Sequence, residues 1–194
     1  MNDRVVKGVV PGVLAILVVA GGMSLRDQRP TERPSETLRL EVDISDRTLS
    51  VLERGRVVET HPVTVGSRNH PTPLGSYAID WIVWNPSWNP PDSGWAKNRR
   101  AMGPGPDNPM GRVKMFFREP AYYVHGTRAI SELGTAASHG CVRLSNADVL
   151  KVARRVMKHG GEARPPGWFK RVINSFRDTR EVRLTRPVPV QIVE

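Results

Sequence analysis

The segment LRLEVDI, residues 38–44, alternates apolar Leu38, Leu40, Val42 and Ile44 with charged Arg39, Glu41 and Asp43. A period of two predicts a strand with one face in a core and the other in water. TLSVLE and VVETHPVTV flank a turn at Arg54-Gly55-Arg56 and predict a hairpin, and SYAIDWIV, RVKMFF and YYVHGT supply further strand candidates. The period changes in SNADVLKVARRVMKHGG, where Val149, Leu150, Val152, Ala153, Val156 and Met157 fall on one stripe of a helix. Ser145 caps this helix with Asp148 at its third position, and Gly160 ends it. A shorter amphipathic piece, GWFKRVINSF, precedes two terminal strand candidates, TREVRL and VPVQIV. Strands outnumber helices, so a mainly β chain is expected.

Residues 84–111, from WNPSW to NPMG, break the pattern with Pro, Gly and Trp, and are too long for a plain connection. A loop of this kind covers a site. Trp84, Trp88 and Trp95 are either a satellite core beneath it or substrate contacts.

Ahead of residue 38 the pattern is different again. Arg4 and Lys7 precede an uncharged run from Gly8 to Met23, and Arg26 follows. The run is apolar all round, ends near small Ala20, Gly21 and Gly22, contains Pro11 and is slightly short for a span, which leaves a cleaved export signal and a retained anchor both open. RDQRPTERPSET has linker character. The expected division is therefore a signal peptide or N-terminal membrane anchor over 1–25, a polar linker over 26–37 and one domain over 38–194. The expected location is the periplasm or cell envelope.

A chain of 194 residues can bury a core without staples, and 17 Gly with 17 Pro agree with a turn-rich β domain. Lys and Arg outnumber Asp and Glu by 29 to 19, and this net charge of +10 favours polyanions. The arginines are scattered, with no stacking surface or recognition-helix signature, so no nucleic-acid partner is expected. Membrane contact is expected only through the N-terminal segment.

TAASHGCVRLS, residues 135–145, holds Cys141, the only cysteine of the chain. Exported chains pair cysteines or lose them, so a lone thiol needs a reason. It can be a buried small hydrophobe, a zinc ligand with His125 and His139, or a nucleophile. The zinc set lacks a fourth ligand at a customary spacing, and no metal is expected. A nucleophile needs a neighbouring base or positive charge. His125 ends a strand-like run, a rigid mount for a base. His139 is separated from Cys141 by Gly140, which permits a turn and lets backbone N–H groups approach a carbonyl oxygen. Arg143 can hold a substrate carboxylate or keep the site electropositive. His61, His70 and His159 read as solvent-facing or structural.

VHGT followed by SHGCVRLSNADV resembles the catalytic signature of the L,D-transpeptidase (YkuD-like) domain of bacterial cell-wall enzymes. LEVDISDRTLSVLERGRVVETHPVTVG, TPLGSYAI and GPDNPMG resemble that family's opening hairpin, its Thr-Pro-x-Gly turn and its Asn-Pro-x-Gly approach to the histidine strand. The tail is similar to the closing segment of larger members. The resemblance implies a β-rich α+β fold, a mixed β-sandwich or open barrel with one main helix after the cysteine. It implies Cys141 as nucleophile, His125 as base and the Gly126 carbonyl as the group that orients the imidazole. Gly140 and Cys141 N–H groups would form the oxyanion site, His139 would shape it, and Ser138 and Arg143 would contact substrate, with no cofactor.

The reaction implied is peptidoglycan L,D-transpeptidation: attack at the L–D bond after residue three of a stem tetrapeptide, a thioester, and acyl transfer to an amine. The acceptor would be another stem, a wall-attached protein or a free D-amino acid. A hydrolytic relative, either an L,D-carboxypeptidase or an amidase that releases wall proteins, would use the same residues. A non-catalytic wall-binding module is the reading from another class. No peptidoglycan-binding repeat is recognisable, which leaves wall targeting to the domain, the N-terminal segment or partners.

Overall fold

Eight strands share one sheet: β1 (Leu38–Asp43), β2 (Thr48–Glu53), β3 (Arg56–Pro62), β4 (Gly75–Trp84), β5 (Val113–Arg118), β6 (Tyr122–Thr127), β7 (Val142–Ser145) and β8 (Arg180–Val193). The computed structural model describes residues 38–175 and 177–194. The expected signal or anchor over 1–25 and linker over 26–37 lie outside the described residues.

The strand order is β3-β2-β1-β8-β4-β5-β6-β7. Two neighbouring pairs, β1 with β8 and β6 with β7, are parallel and the others antiparallel, so the sheet is mixed. The β2–β3 turn is two residues, Arg54 at φ 52° and Gly55 at φ 75°. Left-handed backbone at both positions matches the twist of the flanking strands.

Beyond β3 the chain crosses to the far edge. Thr64 and Arg143 exchange N–H···O bonds of 2.9 Å, and Ser138 N–H donates to Val65 at 3.0 Å. These bridges nearly close the sheet on itself, giving the expected open barrel and hiding edges that would otherwise expose unpaired backbone.

The two terminal strand candidates are one strand. β8 runs 14 residues and pairs with both β1 and β4. Pro187, which cannot donate to a ladder, lies between the two candidates. Its place is the irregular stretch where the β4–β8 register shifts between Ile79 and Trp81, and no ladder bond is needed there.

Helix α1 (Asn146–His159) starts on the Ser145 hydroxyl, which accepts from Asp148 N–H at 3.0 Å. Its buried residues Val149, Val152, Ala153, Val156 and Met157 join one core with Val113, Met115, Val124, Val142 and Leu144 of the sheet. Apart from Ala153, each of these side chains contributes about 1.5–3 kcal/mol by leaving water. A second helix, α2 (Pro166–Ile173), adds Phe169 and Val172 to the same core. Among the described residues no helix is long and apolar enough to cross a membrane.

Candidate active site

Strands β5, β6 and β7 lie side by side, and alternation sorts their side chains. One set, Val113, Met115, Val124, Val142 and Leu144, is the core beneath α1. The alternate set is Lys114 and Phe116 on β5, Tyr123 and His125 on β6, and Cys141 and Arg143 at β7, and it belongs to the other face. Register arranges this face in rows: Lys114 opposite His125 opposite Arg143, and Phe116 opposite Tyr123. Cys141, one step before β7, extends the second row beside Tyr123. Lys114, Tyr123, His125, Cys141 and Arg143 line a single cavity of about 520 Å³. A larger cavity, about 1170 Å³, lies between the β2–β3 turn, the end of α1 and β8, and contains none of these residues.

Cys141 is half-buried, with Sγ 3.5 Å from the Ala121 carbonyl. Burial pushes its thiol up; the Tyr123 backbone N–H, Arg143, the Tyr123 phenol and Lys114 pull it partly back. The Tyr123 phenol is itself raised by burial and by its neighbour Cys141.

His125 is buried, and its Nδ1 lies 2.8 Å from the Gly126 carbonyl. A carbonyl only accepts, so Nδ1 carries the hydrogen and Nε2 keeps the lone pair. Burial first, then Arg143, push the imidazole down to about 3, against the opposing pull of the Gly126 carbonyl. Cys141 and His125 line the same cavity, and burial favours the thiol form of one and the neutral imidazole of the other.

The backbone around His125 has no room for a side chain at residue 126. A Cβ on Gly126 would lie 2.3 Å from Asn146 Oδ1, and a Cβ on Gly111 would meet the same atom at 2.3 Å. That oxygen accepts Arg112 N–H at 3.0 Å, tying the end of the long loop to β6 and to the first turn of α1.

The turn before the cysteine is closed on itself. Ser138 Oγ donates to the Cys141 carbonyl at 2.6 Å and accepts Gly140 N–H at 3.1 Å. Two expectations change here. Ser138, expected at the substrate, is buried and its hydroxyl is used inside the turn. Gly140 N–H, expected as an open oxyanion donor, is paired with that hydroxyl. Gly140 has φ 104° and lies against Tyr122, where a Cβ would come within 2.7 Å of the ring.

His139 is exposed at the cavity rim, its ring stacked on Trp95 at 4.1 Å and 4.6 Å from that of His70. Partial burial and then His70 hold its imidazole below the ordinary value. His70, expected to be structural or solvent-facing, thus belongs to the rim of this cavity. The three tryptophans divide: Trp84 is core, Trp88 is buried within the loop, and Trp95 covers His139. Asn108 pins the loop through Nδ2 bonds of 2.9 Å to the Pro86 and Gly103 carbonyls. His61 is buried between Glu59 and Asp148.

Arg143 lines the cavity with Nη1 2.7 Å from Glu132 Oε2, an ion pair within the chain. Among the described residues no group of three or more His, Cys, Asp or Glu side chains is placed to hold a metal ion. Sequence reasoning missed Lys114 and Tyr123. Tyr123 was within reach, because 123 and 125 share a face in any strand; Lys114 needed the β5–β6 register.

Residues 37–190 match the YkuD model of the L,D-transpeptidase catalytic domain. The chain belongs to this L,D-transpeptidase family. A Bacillus licheniformis protein bearing the name L,D-transpeptidase YkuD is 34% identical over 115 residues, which cover 59% of this chain and 58% of that one. An Escherichia coli K12 protein bearing the name L,D-transpeptidase YbiS is 34% identical over 96 residues, 45% of this chain and 31% of that one. The chain therefore spans less than two-thirds of these L,D-transpeptidase relatives. Among solved structures, L,D-transpeptidase 3 from Mycobacterium tuberculosis in complex with a faropenem-derived adduct superposes with TM-score 0.51 at 20% identity, covering 81% of this chain and 60% of that one. The catalytic domain of an E. faecium L,D-transpeptidase gives TM-score 0.50 at 15% identity, over 81% of this chain and 97% of that one. Both show the same fold.

Proposed function

We propose that this domain is a peptidoglycan L,D-transpeptidase acting through a Cys141 thioester. The observation that carries the reading is the placement of Cys141, Tyr123 and His125 on one face of β6 and β7, at a single cavity, in a domain of this family. His125 Nε2 takes the Sγ proton as sulfur attacks the carbonyl carbon of stem residue three. The C–N bond to the terminal D-alanine breaks, and His125 returns the proton to the departing amine. An acceptor amine then attacks the thioester carbon, His125 removes its proton, and the thiol is regenerated.

The resting thiol makes proton removal part of the attack itself, so His125 is a general base and not the partner of a standing thiolate. The Tyr123 phenol and backbone N–H, which already face sulfur, stabilise the charge that grows there. Cys141 N–H is the oxyanion donor in this scheme, joined by Gly140 N–H only where it leaves Ser138 Oγ. The proposed setting is the cell envelope, reached through the apolar run of residues 8–23 as a cleaved signal or an anchor. A wall-attached protein is an alternative acceptor to a second stem.

The test is product analysis by mass spectrometry with disaccharide-tetrapeptide, with and without an amine acceptor. The reading expects release of D-alanine and an acceptor-dependent joined product. Tripeptide alone, whatever the amine, would make the domain a hydrolase; no turnover by a folded domain would favour a binding module.

A further inference from the structure

Two cations line the catalytic cavity at the level of His125, and they differ in their commitments. Arg143 is held by Glu132 at 2.7 Å. Lys114 Nζ makes no hydrogen bond or ion pair among the described residues; its neighbours are the Phe116 ring at 4.9 Å and the Tyr123 ring at 5.4 Å. Glu181, exposed on β8, and the Cys141 sulfur act on it only through longer-range charge. Aromatic faces attract an ammonium but offer it no acceptor, so no protein oxygen is committed to Nζ. This side chain is therefore set to receive an anion entering the cavity.

The proposed donor brings one to that place. The terminal D-residue hangs from the scissile nitrogen, and its carboxylate is two bonds away from that nitrogen. When sulfur reaches the carbonyl carbon, this carboxylate must lie close beside Cys141, in the neighbourhood that Lys114 shares with Tyr123 and His125. We propose that Lys114 receives the C-terminal carboxylate of the departing D-residue and so makes the enzyme select stems that end at residue four. The proposal rests on the transpeptidase reading above. It assigns donor selection to a residue other than Arg143, whose guanidinium already has a carboxylate. A stem with a fifth residue has an amide at this point, which leaves the ammonium without a partner and costs binding.

Two measurements test it, on wild type, Lys114→Met and Lys114→Arg. The first is the ratio of Cys141 alkylation rates with iodoacetate and iodoacetamide. Both reagents need the thiolate, so the ratio cancels any change in thiol titration and reads only attraction of a carboxylate to the site. Lys114→Met is expected to lower the ratio about fivefold or more, and Lys114→Arg to keep it within about twofold, as for loss or retention of a charge-assisted contact.

The second is kcat/KM for D-residue release from three donors: the tetrapeptide acid, its C-terminal amide and its residue-three side-chain amide. Wild type and Lys114→Arg are expected to prefer the acid over the C-terminal amide, and Lys114→Met to lose that preference. An unchanged alkylation ratio in Lys114→Met with turnover intact overturns the proposal. So does a Lys114→Met effect confined to the side-chain amide, which would assign the ammonium to the acyl side. Failure of the transpeptidase reading looks different: a binding module would release nothing from any of the three donors, and a hydrolase would release the D-residue without an acceptor-dependent joined product.

Discussion

The buried imidazole of His125 makes a prediction about acid stability that is independent of substrate. Burial, Arg143 and Lys114 oppose its protonation, so in the fold it titrates near 3, against 6.5 for an ordinary histidine. Above the ordinary value the ring is neutral in both folded and unfolded chains, and its contribution is fully present. Below it, the unfolded chain binds a proton that the fold refuses, and stability falls by about 1.4 kcal/mol per pH unit until the folded value is reached. At about pH 4.5, two units into that window, the loss from this ring is about 2.7 kcal/mol, a large share of the 5–15 kcal/mol or so typical of a domain. Urea unfolding of wild type and His125→Gln at about pH 7.5 and about pH 4.5 isolates the effect, because Asp43, Glu53 and Asp148 titrate in both chains and cancel in the comparison. Wild type should lose about 2–3 kcal/mol more than the variant on acidification. Equal losses would refute a neutral, buried imidazole in the cavity floor.

The same site predicts that iodoacetamide alkylation of Cys141 titrates above the ordinary thiol range, and that Tyr123→Phe or Arg143→Gln moves it higher still, since both groups favour the thiolate. A titration that falls in either variant would contradict those assignments. Gly126→Ala should destabilise the domain by about 2 kcal/mol or more and displace Asn146, because the Cβ would meet Oδ1 at 2.3 Å, an oxygen bonded to Arg112 N–H, with Val149 Cγ1 at 3.1 Å beside it; thermal melting checks it, and an unchanged melting temperature would count against the close approach. His139→Ala should free Trp95, read as a shift in tryptophan emission, while lowering turnover less than His125→Ala, which should lose about 10²–10⁴ in acylation rate. If His139→Ala is the more damaging, the base is the wrong histidine.

Much of this architecture could be read from the chain because its strands are half-buried. Leu38, Leu40 and Val42 alternate as the core requires, and Arg54-Gly55 and Ser145 are local signals whose geometry depends on few neighbours. The continuity of β8 could not be read, since Pro187 looks like a break until a register shift on β4 gives it a place. Nor could the use of Ser138 or Gly140 N–H, because only the closed turn shows that each satisfies the other. The candidate site divides in the same way. Cys141 and His125 stand out by residue type and local sequence, whereas Lys114 is one of 29 basic residues until strand pairing sets it opposite His125.

In the proposed reaction Cys141 carries the acyl group. The direct measurement is intact-protein mass spectrometry after mixing the domain with a tetrapeptide donor and quenching in acid, followed by peptide mapping. The expected result is an adduct equal to the donor less D-alanine, located on Cys141, discharged by an added amine and absent from Cys141→Ala, whose fold and melting temperature stay near wild type. Continued turnover by Cys141→Ala, or turnover by wild type that proceeds through an adduct on another residue, would contradict it.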